Sequence, residues 1–145
     1  MPTGNVPDPY LNFNFLVEIG GITRAAFQEC NGFDSTIDVI EHREGGENTT
    51  LRKHPGMTKY SNIVLKRGVT DDKELYEWHH QTIRGKLKRK DGYILLLDRI
   101  GQEVARWHFV RAWPSKWVGP TLNAEGNDVA VETLELAHEG VKRVK

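Results

Sequence analysis

Apolar and polar residues alternate with a period of two over much of the first forty positions, which is the spacing of strands with one covered face. Phe13, Phe15, Val17 and Ile19 alternate with Asn12, Asn14, Leu16 and Glu18. Gly20-Gly21 then reads as a tight hairpin turn, because primed turns need positive φ, and extended character resumes at Ile22. Asn31-Gly32 is a second turn signal, and Phe33, Ser35, Ile37 and Val39 alternate with Asp34, Thr36, Asp38 and Ile40 in a third strand. Ile63, Val64 and Leu65 carry a fourth, closed by Arg67-Gly68. Tyr93, Ile94, Leu95, Leu96 and Leu97 are apolar at consecutive positions, as in a strand covered on both faces. A sixth strand is expected over 104–110, with Ala105, Trp107 and Phe109 on one face and Arg106 and His108 on the other.

The period changes once. Leu75, Trp78, Thr82 and Ile83 recur at helical spacing behind an acidic turn, Asp71-Asp72-Lys73-Glu74. Asp71 and Glu74 have capping-box spacing, with Thr70 as a rival cap, and Gly85 suits a helix stop. These signals predict one helix over 71–84. Asp91-Gly92 reads as a turn, and the Trp113-Pro114-Ser115-Lys116-Trp117 segment as a structural corner feeding a last strand. In that last run Val129 and Val131 have one parity and Leu134 and Leu136 the other. Such a slip predicts either a bulge near Glu132-Thr133 or a strand covered by different partners on its two faces.

Two stretches lack a period. Residues 1–11 carry three prolines and a glycine and are expected to be an extended arm. Residues 41–59 combine Gly45-Gly46, Pro55-Gly56 and many charges into a long protruding loop or hairpin, and loops of that length inside compact domains are usually functional. The whole chain, 1–145, is expected to be a single domain of mainly β (α+β) class: a small antiparallel β-barrel or sandwich with one flanking helix.

Composition narrows the function. Twenty basic and twenty acidic residues leave no net charge, which disfavours sequence-specific nucleic-acid binding and removes long-range repulsion against self-association. The KLKRK run at 86–90 is short and isolated, as at a solvated helix exit or a subunit contact. A single cysteine, Cys30, excludes an internal disulfide. The N-terminus lacks the charged and apolar regions of a secretory signal, and no apolar run approaches the ~18 residues of a membrane span, so cytoplasmic synthesis without membrane anchoring is expected. Six histidines invite a search for metal ligands, but no H-x-x-x-H or C-x-x-C occurs, and His79-His80 are adjacent on the helix. No nucleophile elbow, phosphate-binding glycine loop or dinucleotide fingerprint is present. The expectation is a non-enzyme with no catalytic residues, no metal and no cofactor.

Three stretches together carry a resemblance: DPYLNFNFLVEI at 8–19, EHREGGEN through KHPGMTKYSNIVLKRGVT at 41–70, and AWPSKWVGPTLNAEGNDVAVETLELAHEG at 112–140. The chain resembles the contractile-tail tube proteins of phages and extracellular contractile injection systems over nearly its whole length. That resemblance implies hexameric rings stacked into a hollow tube, strands of six subunits joined around the lumen, and a long hairpin loop reaching onto neighbouring subunits. It also implies as partners other copies of itself, a sheath protein, baseplate or tube-initiator proteins, a tape-measure protein and luminal cargo. It implies too a place in a phage tail or a released extracellular particle. Under it, Glu44, Glu47, Arg52, Lys53 and His54 become loop contacts between subunits or rings, and Asp34, Asp38, Arg106 and His108 lumen or outer-surface residues. Two other readings fit the residues: a type VI secretion-like ring protein carrying effectors, and a small ligand-binding barrel using Trp113 and Trp117.

Overall fold

The computed structural model describes residues 8–12, 14–20, 22–25, 27–43, 45–46 and 50–145, the side chains of 22–25 excepted. Most of the expected arm, Phe13 of the first strand and Gly21 of the first turn lie outside the described residues. Ten strands and one helix follow one another as β1 (Phe15–Ile19), β2 (Ile22–Ala25), β3 (Glu29–Asn31), β4 (Ser35–His42), β5 (Arg52–Tyr60), β6 (Ile63–Gly68), α1 (Glu74–Ile83), β7 (Lys90–Leu97), β8 (Glu103–Val118), β9 (Val131–Ala137) and β10 (Gly140–Arg143). Every strand pair is antiparallel. The strands β2-β1-β7-β8-β9-β6-β3 form one continuous sheet, β10 also pairs with β8, and β4-β5 form a separate ribbon.

The long strand β8 organises this arrangement. Its first part pairs with β7 on one edge and with β10 on the other; its last part pairs with β9. The sheet therefore folds over on β8 into two layers, and the core lies between them. Val17, Ile19, Ile94 and Phe109 come from one layer and Ile63, Leu65, Leu134 and Leu136 from the other. The result is an open sandwich rather than a closed barrel, since β2 and β3 end the strand order without pairing to each other.

Besides a shift at its start, between Glu103 and Ala105, two register shifts re-aim the side chains of β8. Gly92 pairs with Phe109 but Lys90 pairs with Ala112, so an extra residue enters at Val110–Arg111, where Arg111 has φ 51°. The Asp91 carboxylate holds that bulge by accepting the Arg111 backbone N–H at 2.9 Å. A second shift separates Pro114 from Lys116. In consequence Ala105 and Phe109, then Ala112 and Pro114, then Trp117 point inward. The chain turns at Arg111, and the Trp113–Trp117 segment expected to be a corner is extended strand. A corner there would forfeit the backbone pairing with β9.

Asp91-Gly92 is likewise no turn but the interior of β7. A Cβ at Gly92 would stand 2.4 Å from both the Glu18 carbonyl oxygen and the Phe109 ring, so the glycine serves close packing rather than chain reversal. Beyond it, Ile94 faces the core while Leu95, only 2% exposed, is covered on the opposite face, as the consecutive apolar run predicts. The last strand keeps an unbroken register with β6 from Ile63↔Leu136 to Gly68↔Val131. Val129 lies outside β9 and is 69% exposed, and Val131 is half-buried on the face opposite Leu134 and Leu136; the bulge belongs to the partner strand β8.

Helix α1 begins at Glu74, and neither Asp71 nor Thr70 caps it. The Asp72 carboxylate accepts the Glu74 N–H at 3.0 Å, while Thr70 Oγ1 accepts the Asp72 N–H. Gly85 ends it with φ +81°. Lys86 N–H donates to Gln81 O and Gly85 N–H to Thr82 O, the double closure of a Schellman motif. Leu75 and Trp78 enter the core at 4% and 3% exposure, but Ile83 is 67% exposed and does not belong to the buried face.

Candidate assembly surfaces

The β4-β5 ribbon pairs with nothing else among the described residues. The stretch 41–59, expected to be a long protruding loop or hairpin, is a hairpin: Arg52–Pro55 and Thr58–Tyr60 have cross-strand partners in Ser35–His42, and Gly56 and Met57 do not. Directly opposed residues share a face, and the register therefore separates two faces. One carries Ile37, Val39, Pro55, Thr58 and Tyr60 with Glu41 opposite Lys53; the other carries Thr36, Ile40, His42, Arg52, His54 and Lys59. Asp38 joins the second face through an ion pair to Lys59 at 3.2 Å, and the His42 and His54 rings lie there 6.1 Å apart. The loop candidates Lys53 on one side and Arg52 and His54 on the other are thus not one patch. Glu44 and Glu47 lie outside the described residues.

This ribbon is exposed along almost its full length. Ile37 is 54%, Val39 63%, Ile40 54% and Met57 69% accessible. An alternating strand with no cover is unusual, because a lone two-stranded ribbon is only marginally stable in water. A bulge at Gly56–Met57 opposite Asp38 bends β5, and a Cβ at Gly56 would stand 3.1 Å from Asp38 O and from the Ile40 side chain.

The root of the ribbon is fixed by hydrogen bonds. His138 donates from Nε2 to Ser61 O at 2.8 Å and accepts the Gly140 N–H on Nδ1 at 3.2 Å, which defines a neutral ring with its proton on Nε2. Tyr60 packs against His138 with centroids 5.7 Å apart. Asp34 sits before β4, where its carbonyl accepts the Ser61 N–H, so it is a root residue rather than a partner of Asp38 on a strand face.

A second surface is the outward face of β1-β7-β8-β10. Cross-strand register aligns Glu18, Tyr93, His108 and Lys142 in one row. His108 stacks on Tyr93 at 4.7 Å and the Arg106 guanidinium lies 4.8 Å from the same ring. A hydrogen bond from Arg106 to Glu103 pushes the arginine pKa up. Arg106 and His108 are therefore brought together, opposite the apolar face of their strand, whereas Asp38 lies in the ribbon and Asp34 at its root. Within the basic run, burial first and then Lys88 push the Lys90 pKa down, and Lys90 Nζ lies over the Trp78 ring at 5.7 Å.

The tryptophans of the expected corner lie on strand paired with β9. Trp117 meets Tyr76 of α1 edge-on at 5.0 Å and donates to Glu132 at 3.3 Å. Pro114 is fully buried, and its carbonyl accepts from His79 Nδ1 at 3.1 Å. Trp113 pairs in register with Ala137. Beside them, Arg67 is the one buried charged residue described, at 7% exposure. It bridges Glu132 at 2.9 Å, Asp72 Oδ2 at 3.6 Å and Asp72 O at 3.0 Å.

Sequence reasoning missed a cleft of about 520 Å³ between the layers, whose walls include Phe15, Cys30, Phe33, Ile94, Leu96 and Trp107. The Phe33 and Trp107 rings are 5.3 Å apart at 58°. Burial pushes the Cys30 thiol pKa up to about 12, so the side chain is a neutral wall atom rather than a nucleophile. Only the shared face of Ala105, Trp107 and Phe109 hinted at this site. No group of three or more His, Cys, Asp or Glu among the described residues could hold a metal ion, and no helix is long and apolar enough to cross a membrane.

The sequence profile of the family described as T4-like virus tail tube protein gp19 matches residues 11–142. The chain belongs to that family. Solved tube-related structures agree with the membership. One chain in a cryo-EM structure of the anti-feeding prophage baseplate, 6-fold symmetrised, is 28% identical with a TM-score of 0.87, over 95% of this chain and 97% of that one. A chain of the PVC sheath-tube complex in the extended state, an extracellular contractile injection system, is 29% identical with a TM-score of 0.86, over 95% and 93%. Hcp1 from Flavobacterium johnsoniae shares the fold at 15% identity and a TM-score of 0.56, over 90% and 94%. No curated protein matches the chain.

Proposed function

We propose that this tail tube family member is the repeating subunit of the hollow inner tube of a contractile phage-tail-like particle. In this reading the subunits form stacked hexameric rings, enclosed by a sheath, started at a baseplate and driven through a target envelope without catalysis. The observation that carries it is the ribbon, which exposes Ile37 and Val39 at 54% and 63% in the single subunit. Ile37, Val39 and Ile40 on β4, with Met57 on β5, are exposed on a ribbon with no cover among the described residues, and such apolar exposure marks an interaction surface. In a self-assembling ring the contact is heterologous, one patch meeting a different patch on the next copy, and it closes when each rotation is about one sixth of a turn. A 6-fold symmetrised baseplate and a sheath-tube complex among the similar structures support the symmetry, the sheath and the baseplate as partners. Tape-measure protein and luminal cargo complete the expected partner set. The type VI-like reading has the weaker support, a likeness of fold at 15% identity. The ligand-binding barrel loses its basis because Trp113 and Trp117 belong to paired strand.

Electron microscopy of the protein produced with its sheath and baseplate proteins tests this. The expected result is 6-fold tubes with the unaltered chain and folded, unassembled subunits with Ile37→Asp/Val39→Asp. Unassembled subunits from the unaltered chain, or normal tubes from the double variant, would overturn the reading.

A further inference from the structure

His138 lies between β9 and β10 and closes the root of the ribbon with both of its ring nitrogens. Nε2 meets Ser61 O at 2.8 Å, and Nδ1 meets the backbone N–H of Gly140 at 3.2 Å. A carbonyl only accepts and a backbone N–H only donates, so these two partners admit a single form of the ring, neutral with its proton on Nε2. Protonation of the second nitrogen takes the acceptor away from Gly140 and sets two N–H groups against each other. The ring is half-buried, so solvent protons reach it.

The segments that this ring ties together are the ones that aim the ribbon. Ser61 directly follows β5, and its own N–H donates to Asp34 O, one residue before β4 begins. The Tyr60 ring packs on His138 with centroids 5.7 Å apart. The titratable and charged groups of these segments are the Tyr60 phenol and Lys59 on β5, Asp34 at the ribbon start, and Glu139 next to His138 in the chain. Lys59 is paired with Asp38, and Arg111 and Arg89 hold the Glu139 carboxylate. Among the described residues none of them forms an ion pair with His138, so no carboxylate offsets a proton gained there. We propose that His138 is a proton-sensitive latch on the ribbon: the neutral ring closes the root, and protonation releases it. Imidazoles take up a proton near pH ~6.5. Closure requires the neutral ring, so the closed root binds fewer protons than the open one. Its contribution is fully present above that range and is lost as pH falls through it. The latch belongs to the single subunit; its consequence for assembly, a ribbon less well preorganised for a neighbour in acid, rests on the tube reading.

Amide hydrogen exchange tests the latch on the unassembled full chain, kept so by dilution or by Ile37→Asp/Val39→Asp. It is compared at about pH 7.5 and about pH 5.5, either side of imidazole protonation, after correction for the intrinsic pH dependence of exchange. Expected in acid is a ~5-fold loss of protection at Ser61 and Gly140, the worth of one ordinary hydrogen bond, with Ile94 and Phe109 unchanged. His138→Asn is the control for the other histidines. Its side-chain oxygen takes the Gly140 N–H two residues on, as in an Asx turn, and binds no proton in this range, so its protection at Gly140 should not respond to pH. No loss in the parent subunit, or an equal loss in His138→Asn, would overturn the latch. Either result leaves the tube reading intact, since no assembly enters the measurement. Should His138→Asn fail to fold, nitrogen NMR of the His138 ring in the parent subunit decides. An Nε2–H tautomer at neutral pH, whose protonation tracks faster exchange at Gly140, supports the latch; an Nδ1–H tautomer or a mixture of the two defeats it.

Discussion

Arg67 offers the sharpest quantitative test of how the sandwich is held at its helix end. Its side chain is 9% exposed and the Glu132 side chain 13%, with Nε to Oε1 at 2.9 Å. Glu132→Leu removes the carboxylate and leaves a guanidinium that cannot shed its proton in the interior. Removing one partner of a buried pair costs ~3–5 kcal/mol. Here Asp72 still offers its carbonyl at 3.0 Å and its carboxylate at 3.6 Å, but that side chain is 46% exposed and screened by solvent. The lower end of the range, about 3 kcal/mol, is therefore expected. At ~2–4 °C per kcal/mol for a domain of comparable size, the melting temperature falls by about 6–12 °C. Arg67→Met/Glu132→Leu contains neither charge and should return to within about 1 kcal/mol of the unaltered protein. A residual loss of ~0.5–1 kcal/mol is expected from Trp117 Nε1 losing its acceptor.

The measurement is thermal unfolding by circular dichroism in the Ile37→Asp/Val39→Asp background, since assembly would itself stabilise the fold by mass action. A double-mutant cycle isolates the pair. Additive losses with a coupling below about 0.5 kcal/mol would refute the ion-pair account. They would leave Arg67 as packing alone, its stem and guanidinium resting on Phe27 at 6.0 Å from the ring centroid.

Three further outcomes are expected. Gly92→Ala puts a Cβ 2.4 Å from the Phe109 ring and the Glu18 carbonyl, so it should destabilise by ~1–3 kcal/mol or more in urea unfolding; a neutral result would deny the close packing of β1, β7 and β8. His138→Ala removes the two His138 hydrogen bonds at the ribbon root and leaves only the Ser61 N–H to Asp34 O bond there, and hydrogen exchange should rise at Tyr60, Ser61 and Gly140 while Ile94 and Phe109 stay protected. Cys30 alkylation at pH 8 should be about 1,000-fold slower in the folded subunit than in denaturant, from a pKa raised from 9.0 to about 12, with each unit worth tenfold in thiolate. The sign for stability follows: the raised folded pKa favours the fold fully below pH 9.0, and this contribution is lost as pH rises through about 12.

What could be read from the residues, and what could not, divides along physical lines. Strands with one unbroken parity were legible: β1, the buried Ile94-Leu95 pair of β7, and the first part of β8 with Phe109 inward. The second part of β8 was not, because bulges at Val110–Arg111 and Ser115 shift the inward parity from Phe109 to Ala112 and Pro114 and then to Trp117. A window that spans two such shifts contains no period at all, and its two prolines and two tryptophans then read as a corner. Gly92 misled for a related reason: a glycine needed for close approach is indistinguishable in sequence from one needed for a turn. The cleft could not be found because its walls are far apart in the chain, at Phe15, Phe33, Ile94 and Trp107.

The third expected strand is present as β4, and its exposure is the informative part. Ile37 and Val39 alternate with polar neighbours as if one face were covered, yet the single subunit leaves both more than half exposed. Periodicity records burial in the state in which the chain works, and a pattern without a partner in the isolated subunit therefore reports a partner outside it. The same reasoning explains the second strand of the loop or hairpin expected over 41–59. Its high polarity is that of a ribbon with one wet face, Arg52, His54 and Lys59, and its other face, Pro55 and Thr58 beside Val39 and Ile37, continues the alternation of β4. Read as a pair, the two strands predict an amphipathic ribbon; read singly, one resembles a core strand and the other a solvated loop. The mismatch between pattern and exposure at Ile37 and Val39 is thus the feature of this chain on which the proposed assembly rests.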